Sequence, residues 1–223
     1  MYGPALALIH AEAFSDTFRP AFDWLTEQVY AGPRPARLFD LGCGDGAWLD
    51  FARYHGIPGA GLDASEAFVH LALARKLAVT LGDAARPLVP RGTSAITALG
   101  EVLAYAPAGL TGATQAAAQA LPPNGLFLFD LIRPDVEGGE TERHGNGWTI
   151  VAKTRISGAR LTRDITVTTP QGTTQETHEQ QIFDPGAVTR LVADAGFSCD
   201  LLASYGPCPL LPGRFAILAR KLA

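Results

Sequence analysis

Leu38-Phe39-Asp40-Leu41-Gly42-Cys43-Gly44-Asp45-Gly46 is an apolar β-type run that breaks into three glycines at alternate positions. The run begins at Arg37, and a helix-compatible segment, residues 47–55, leaves the turn. Glycines in such a turn adopt positive φ and let the backbone approach a ligand with no Cβ in the way. The first N–H groups of the following helix have no partner inside it. Strand, glycine turn and helix in that order describe a nucleotide-type cofactor cradle at the carboxyl end of a parallel strand. Glycine turns also serve merely to redirect a chain, so the surrounding sequence has to decide.

Downstream, Trp48, Leu49, Phe51 and Ala52 give the first crossover helix an apolar face, and Gly56 and Pro58 end it. Residues 60–63 read as a second strand with Asp63 at its carboxyl end, near the spacing at which a carboxylate meets a pair of ribose hydroxyls. Ser65 is placed to cap a helix over residues 66–76. A third run, 78–81, leads to Asp83; a fourth, 94–99, leads to Glu101; a fifth spans 126–131 after a helix over 111–121. Asp40, Asp63, Asp83 and Glu101 therefore all fall at or near strand ends. In a parallel sheet those ends share one rim, where such folds bind ligands.

The pattern changes after Arg133. Threonine-rich and charged β-type runs at 148–156, 161–168 and 173–183 predict an antiparallel insertion, residues 134–183, beside the sheet or over its rim. Alternation puts Glu176, His178 and Gln180 on one face and Thr177 and Glu179 on the other. Asp184-Pro185 starts a further helix that Gly196 stops. Residues 197–205 and 215–219 are the last strands, and their short link permits an antiparallel return. Ahead of the first strand, residues 1–30 predict a helical segment broken near Pro20, with Phe14, Phe18, Phe22, Leu25 and Val29 on one buried face.

Composition narrows the field. The 223 residues suit one α/β domain. A net charge of −4 supplies no broad basic field for nucleic acid. Cys43, Cys199 and Cys208 form neither a disulfide framework nor a metal knuckle, as expected of a reducing compartment. The five histidines show no metal-ligand spacing, so no metal is expected. No leader or membrane span is read, and a cytoplasmic protein is the expectation.

Two cofactors compete for the turn. Gly42 to Ala47 satisfies G-x-G-x-x-G/A, so a nicotinamide dinucleotide, and with it an NAD(P)-dependent oxidoreductase, is one reading. Asp40 and Asp45 argue against a pyrophosphate there and for a cofactor with a cationic end. The closing strands also lack a second βαβαβ half. At this point the chain resembles the class I S-adenosylmethionine-dependent methyltransferases. The matching pieces are the glycine motif, Gly61-Leu62-Asp63-Ala64-Ser65, Gly82-Asp83-Ala84, Leu99-Gly100-Glu101-Val102-Leu103 and the run from Pro123 to Asp130.

The resemblance implies a Rossmann-like seven-stranded sheet with a reversed terminal strand, S-adenosylmethionine as cofactor, and methyl transfer to an oxygen or nitrogen of a small molecule. It also implies site roles. Asp40 would hold the cofactor's amino-acid end, with Gly42, Cys43 and Gly44 passing beneath it. Asp63 would take the ribose hydroxyls, with Ala64 beside it. Asp83 and Ala84 would meet the adenine, and Leu99, Gly100 and Glu101 would lie below the sulfonium. Cys43 is expected to be inert, since no base is spaced to activate it. Glu101, Tyr105 and His178 are the candidate bases; a histidine with a pKa near 6.5 suits proton transfer near neutrality. His10, Phe14, Arg133, Trp148 and Glu176 are the candidate acceptor contacts, the plainer readings of Arg133 and Trp148 being an ion pair and an apolar wedge. The partners expected are a small-molecule acceptor, with no nucleic acid and no membrane, for a monomer or homodimer. A cofactor-binding protein without turnover is a further alternative.

Overall fold

The computed structural model describes residues 2–105 and 108–223; Met1, in the expected leading segment, lies outside them. The chain opens with α1 (Pro4–Ala13), a tight 3-10 stretch (Ser15–Ala21) and α2 (Phe22–Tyr30). Then come β1 (Leu38–Leu41), α3 (Ala47–Tyr54), β2 (Gly59–Asp63), α4 (Glu66–Ala74), β3 (Ala78–Leu81), β4 (Ala95–Ala98), α5 (Gly109–Ala120) and β5 (Leu126–Ile132). The insertion comprises β6 (Gly139–Gly145), β7 (Trp148–Ser157), β8 (Arg160–Thr169) and β9 (Gly172–Gln181). The chain ends with α6 (Pro185–Asp194), β10 (Phe197–Leu202), a small ribbon of β11 (Ser204–Tyr205) and β12 (Cys208–Pro209), and β13 (Arg214–Lys221).

Seven strands form the main sheet in the order β10-β13-β5-β4-β1-β2-β3. β1 to β5 run parallel, whereas β13 is antiparallel to both β5 and β10. This is the Rossmann-like arrangement with a reversed last strand. All four residues of β1 and all seven of β5 are buried, because helices and the leading segment cover both faces. Phe39, Leu41, Phe127 and Phe129 point into one apolar layer; Leu38, Leu126 and Leu128 point into the other, with Phe22, Leu25 and Trp48. Phe129 is fully buried, and its loss to alanine would cost about 3–5 kcal/mol. The order of strands reverses between β1 and β4, which is where an α/β sheet opens a crevice at its carboxyl ends.

Two helix starts follow from single side chains. Ser65 Oγ accepts from the Phe68 N–H at α4, and Asp184 Oδ1 accepts from the Ala187 N–H at α6 with Pro185 in the first turn.

The structure departs from expectation in two places. The insertion has a fourth strand, β6, whose residues are all exposed and polar, so no alternation marked it; it is an edge strand paired only with β7. In the leading segment, the five apolar residues expected on one buried face do not share it. The 3-10 stretch through Pro20 turns the chain, so Phe22, Leu25 and Val29 enter the core while Phe14 and Phe18 face a cavity above the sheet. α1 packs against the insertion through Leu6 and Ile9 on Ile150, Ile165 and Val167. Among the described residues no helix is long and apolar enough to cross a membrane.

Candidate active site

A cavity of about 890 Å³ opens over the carboxyl rim of the sheet, between the glycine turn and the β6–β9 sheet. Asp40, Asp63, Asp83 and Glu101 all line it. Asp40 is 4% exposed and accepts from Thr97 Oγ1 at 2.6 Å. No cation pairs with it among the described residues, and burial raises its pKa to about 7. Asp63 accepts from the Gly44 N–H at 2.9 Å through Oδ2 and from the Ser65 N–H at 2.8 Å through Oδ1. Burial pushes its pKa up as well, against those bonds. Asp83 Oδ1 accepts from the Ala85 N–H at 2.8 Å and so shapes the turn holding Ala84.

The glycines divide the work. Gly42 has φ +65, and a Cβ there would run into Val102. Gly44 has φ +56, but a Cβ there would meet nothing within 4 Å, because it would point into open cavity. Asp45 is turned to an ion pair with Arg75. Its charge is thereby neutralised, so Asp40 alone carries the case against a pyrophosphate. Burial and the neighbouring Asp40 and Asp63 push the Cys43 thiol far up, as an unreactive loop position requires.

On the β4 side, Gly100 (φ +86) and Glu101 (φ +63) are both left-handed. One buried carboxylate holds them there. Asp130 accepts from the Gly100 N–H at 2.7 Å, the Glu101 N–H at 3.0 Å and the Tyr205 hydroxyl at 2.7 Å. Burial, with Glu101 nearby, raises the Asp130 pKa to about 6. A strained backbone pinned at a cavity is a mark of a functional site. The Glu101 carboxylate is itself committed, to Arg214 Nε and to Gln180 Nε2 at 3.0 Å. That engagement makes it a holder of the loop rather than a free base.

Opposite, the His178 ring lies between two partners. Its Nε2 meets Glu176 Oε2 at 3.0 Å and its Nδ1 meets the Tyr105 hydroxyl at 3.3 Å. The carboxylate can only accept, which assigns the proton to Nε2 and leaves Nδ1 as an acceptor. Burial lowers the His178 pKa, while Glu176 pulls it the other way. Burial also raises the Tyr105 hydroxyl well above its ordinary value, so the phenol stays protonated.

Gly42, Cys43, Gly44, Ala64, Ala84, Leu99, Gly100, Tyr105 and His178 also line the cavity, as do His10 and Phe14 from α1 and the residue after it. Three candidate acceptor contacts do not. Arg133 pairs with Asp135 at 2.8 Å on the surface. Trp148 wedges against Phe14, ring centroids 6.2 Å apart, in the layer between α1 and β7. Glu176 stands behind His178, accepting from its ring and from the Gly3 N–H at 3.0 Å. Arg133 thus sits in a surface ion pair, Trp148 in an apolar contact, and Glu176 fixes the His178 ring.

The sequence pattern of a known family, described as a methyltransferase domain, matches residues 13–202. The chain belongs to the methyltransferase domain family. No curated protein sequence matches it. Among solved structures, the CcbJ methyltransferase from Streptomyces caelestis superposes with a TM-score of 0.80 at 17% identity, covering 100% of this chain and 98% of that one. DesVI from Streptomyces venezuelae gives 0.78 at 21%, over 98% and 97%. SAM-bound CalS10, an amino pentose methyltransferase from Micromonospora echinaspora, gives 0.76 at 22%, over 99% and 98%. At such identities the likeness shows the fold.

Sequence reasoning about this methyltransferase missed the residues that complete the site from afar. The Tyr2 ring packs, tilted, against His178 (centroids 4.9 Å apart) and Phe68 (5.1 Å); its hydroxyl hydrogen-bonds Tyr105, and its carbonyl accepts from Ser65 Oγ at 2.7 Å. Arg214 and Gln180 hold Glu101, and Tyr205 holds Asp130. Alternation puts Gln180 on the His178 face without naming its partner, and a lone arginine opening an apolar last strand is the signal for Arg214; no local pattern marks Tyr2 or Tyr205.

Proposed function

We propose that this protein transfers a methyl group from S-adenosylmethionine to an oxygen or nitrogen of a small molecule. The observation that carries the reading is the convergence of unpaired Asp40 and of Asp63 on the open space above Gly44. Those groups fit the cofactor: a buried carboxylate without a cation suits an amino group, and a carboxylate with lone pairs to spare suits two hydroxyls. Asp83 and the Ala84 N–H are placed for the adenine. Likeness of fold to SAM-bound CalS10 supports the same choice. Membership in a methyltransferase family speaks against the nicotinamide alternative.

When bound, S-adenosylmethionine supplies an already activated methyl group, so the protein's part is alignment and exclusion of water. The clamp of Asp130 on Gly100 and Glu101 fixes the floor beside the reacting centre. Residues 134–183 roof the cavity as a substrate cap, and the leading helices close its side. His178 Nδ1 takes the acceptor's proton, directly or through the Tyr105 hydroxyl, and Glu176 holds the ring in the required tautomer. The free cysteines support a reducing, cytoplasmic setting.

Calorimetry with S-adenosylhomocysteine and with NADH tests the cofactor. Binding of the former alone is expected; binding of NADH alone would reverse the assignment. Transfer of labelled methyl to a metabolite extract separates an enzyme from a cofactor-binding protein without turnover.

A further inference from the structure

The charged residues of the β6–β9 sheet are sorted by face. On its outer face, Lys153 pairs with Glu140 at 2.9 Å, Arg155 pairs with Asp164, and Arg160 lies 3.7 Å from Glu179. Strand register places Arg163 on the other face, directly across from His178 on β9 and Thr154 on β7. Arg163 lines the cavity and is half-buried, yet its guanidinium makes no ion pair or hydrogen bond among the described residues. The carboxylate of Glu176, on the same face, is already taken by His178 and the Gly3 N–H.

A guanidinium partly withdrawn from water without an acceptor is unfavourable unless something else supplies one. The cavity it faces has room for a ligand that would supply one. The charge of Arg163 is felt by Tyr2, Tyr105 and His178, which places it beside the proton-accepting group rather than at the distant mouth. Arg143 faces the same cavity but sits across from Ile150, four β7 residues from Thr154 and therefore roughly 13 Å along the sheet. The two arginines do not share one ligand atom group.

Resting on the methyl-transfer reading, we infer that the acceptor carries an anionic group, a carboxylate or a phosphate, bound by Arg163 close to the atom that receives the methyl. The forked donor pair of arginine matches either oxyanion. Such a contact fixes the acceptor's orientation and leaves His178 to act on its reactive end.

The test is calorimetry on protein saturated with S-adenosylhomocysteine, titrated with inorganic phosphate and, separately, with acetate at low salt. At least one anion is expected to bind the wild type, and which one binds tighter tells a phosphorylated from a carboxylated acceptor. R163Q should weaken that binding about tenfold or more, the loss of a charge-assisted pair. R163K should fall between, and K153Q, which removes the same charge from the outer face, should match the wild type. S-adenosylhomocysteine affinity should be the same in all four proteins. Absence of anion binding in the wild type, or equal binding in R163Q, overturns the inference. So does a matching loss of S-adenosylhomocysteine affinity in R163Q, which would assign Arg163 to the cofactor's own carboxylate. Failure of S-adenosylhomocysteine to bind the wild type would instead remove the methyl-transfer reading beneath it.

Discussion

The Gly44 N–H donates to Asp63 Oδ2 at 2.9 Å, so the carboxylate that ends β2 also fixes the turn that ends β1. With Ser65 on its other oxygen, Asp63 ties together the glycine turn and the α4 cap while keeping lone pairs for a ligand. Asp63→Ala is therefore expected to act twice, by removing a ligand acceptor and by releasing the turn. Each charge-assisted bond is worth roughly 1.5–3 kcal/mol, so S-adenosylhomocysteine affinity should fall more than about tenfold. Unchanged affinity by calorimetry would take Asp63 out of the cofactor site.

Gly42 and Gly44 share a left-handed backbone but differ in what lies above them. Gly44→Ala should cost only about 1–2 kcal/mol of stability, the penalty of a Cβ at positive φ. Its methyl enters the cavity, however, and cofactor affinity should fall steeply. Gly42→Ala meets Val102 and should melt several degrees lower. Thermal melts with and without S-adenosylhomocysteine separate the two; a normal ligand-induced shift in Gly44→Ala would show that the space is not used.

The parallel strands and the rim carboxylates were legible because each is local, whereas the reversed last strand came from the family resemblance, the short link before it only permitting an antiparallel return. A buried strand is a short apolar run, a cap is one residue, and a rim acid lies at or within a few residues of its strand's end, as Asp40, Asp63 and Glu101 do. What was not legible is pairing across the chain. Glu101 reads as a free acid until Arg214 and Gln180 fold onto it, and Glu176 reads as a ligand contact until His178 claims it. The polar edge strand β6 escaped because an edge exposed on both faces needs no alternation.

Glu101 and Arg214 form an ion pair whose side chains are 11% and 7% exposed. Arg214→Met leaves the carboxylate buried without its cation and should destabilise the protein by about 3–5 kcal/mol. Adding Glu101→Gln should recover part of that loss, since the orphaned charge is gone. Urea unfolding of the single and double variants measures it; an undiminished double-variant loss would mean that packing, not charge, dominates.

His178 has its pKa lowered by burial, so its neutral, proton-accepting form persists below the ordinary histidine value. Turnover should thus stay level near neutrality and drop only as pH falls below about 6.5. Glu176→Gln removes the partner that raises the His178 pKa and should move this acidic limb to still lower pH. His178→Gln should lower kcat by about 10²–10⁴ with cofactor affinity intact. A kcat–pH profile with the same limb in His178→Gln would make the residue structural.

Asp40 bears on both stability and binding. Its pKa in the folded protein is raised to about 7, so between the ordinary aspartate range and neutrality the native state holds a proton that the unfolded chain has released. That contribution makes the cofactor-free protein lose stability as pH rises through this window, and Asp130, at about 6, acts in the same sense. Asp40→Asn should therefore raise stability at pH 8 by on the order of 2–4 kcal/mol. Binding of a cofactor with a cationic amino group should draw Asp40 into its ionised form. Near pH 7 the site would then release about half a proton per S-adenosylhomocysteine bound. Calorimetry in phosphate and in Tris, whose ionisation heats differ, reads that release directly. Equal heats in the two buffers, or a difference that survives Asp40→Asn, would mean that the amino group is held elsewhere.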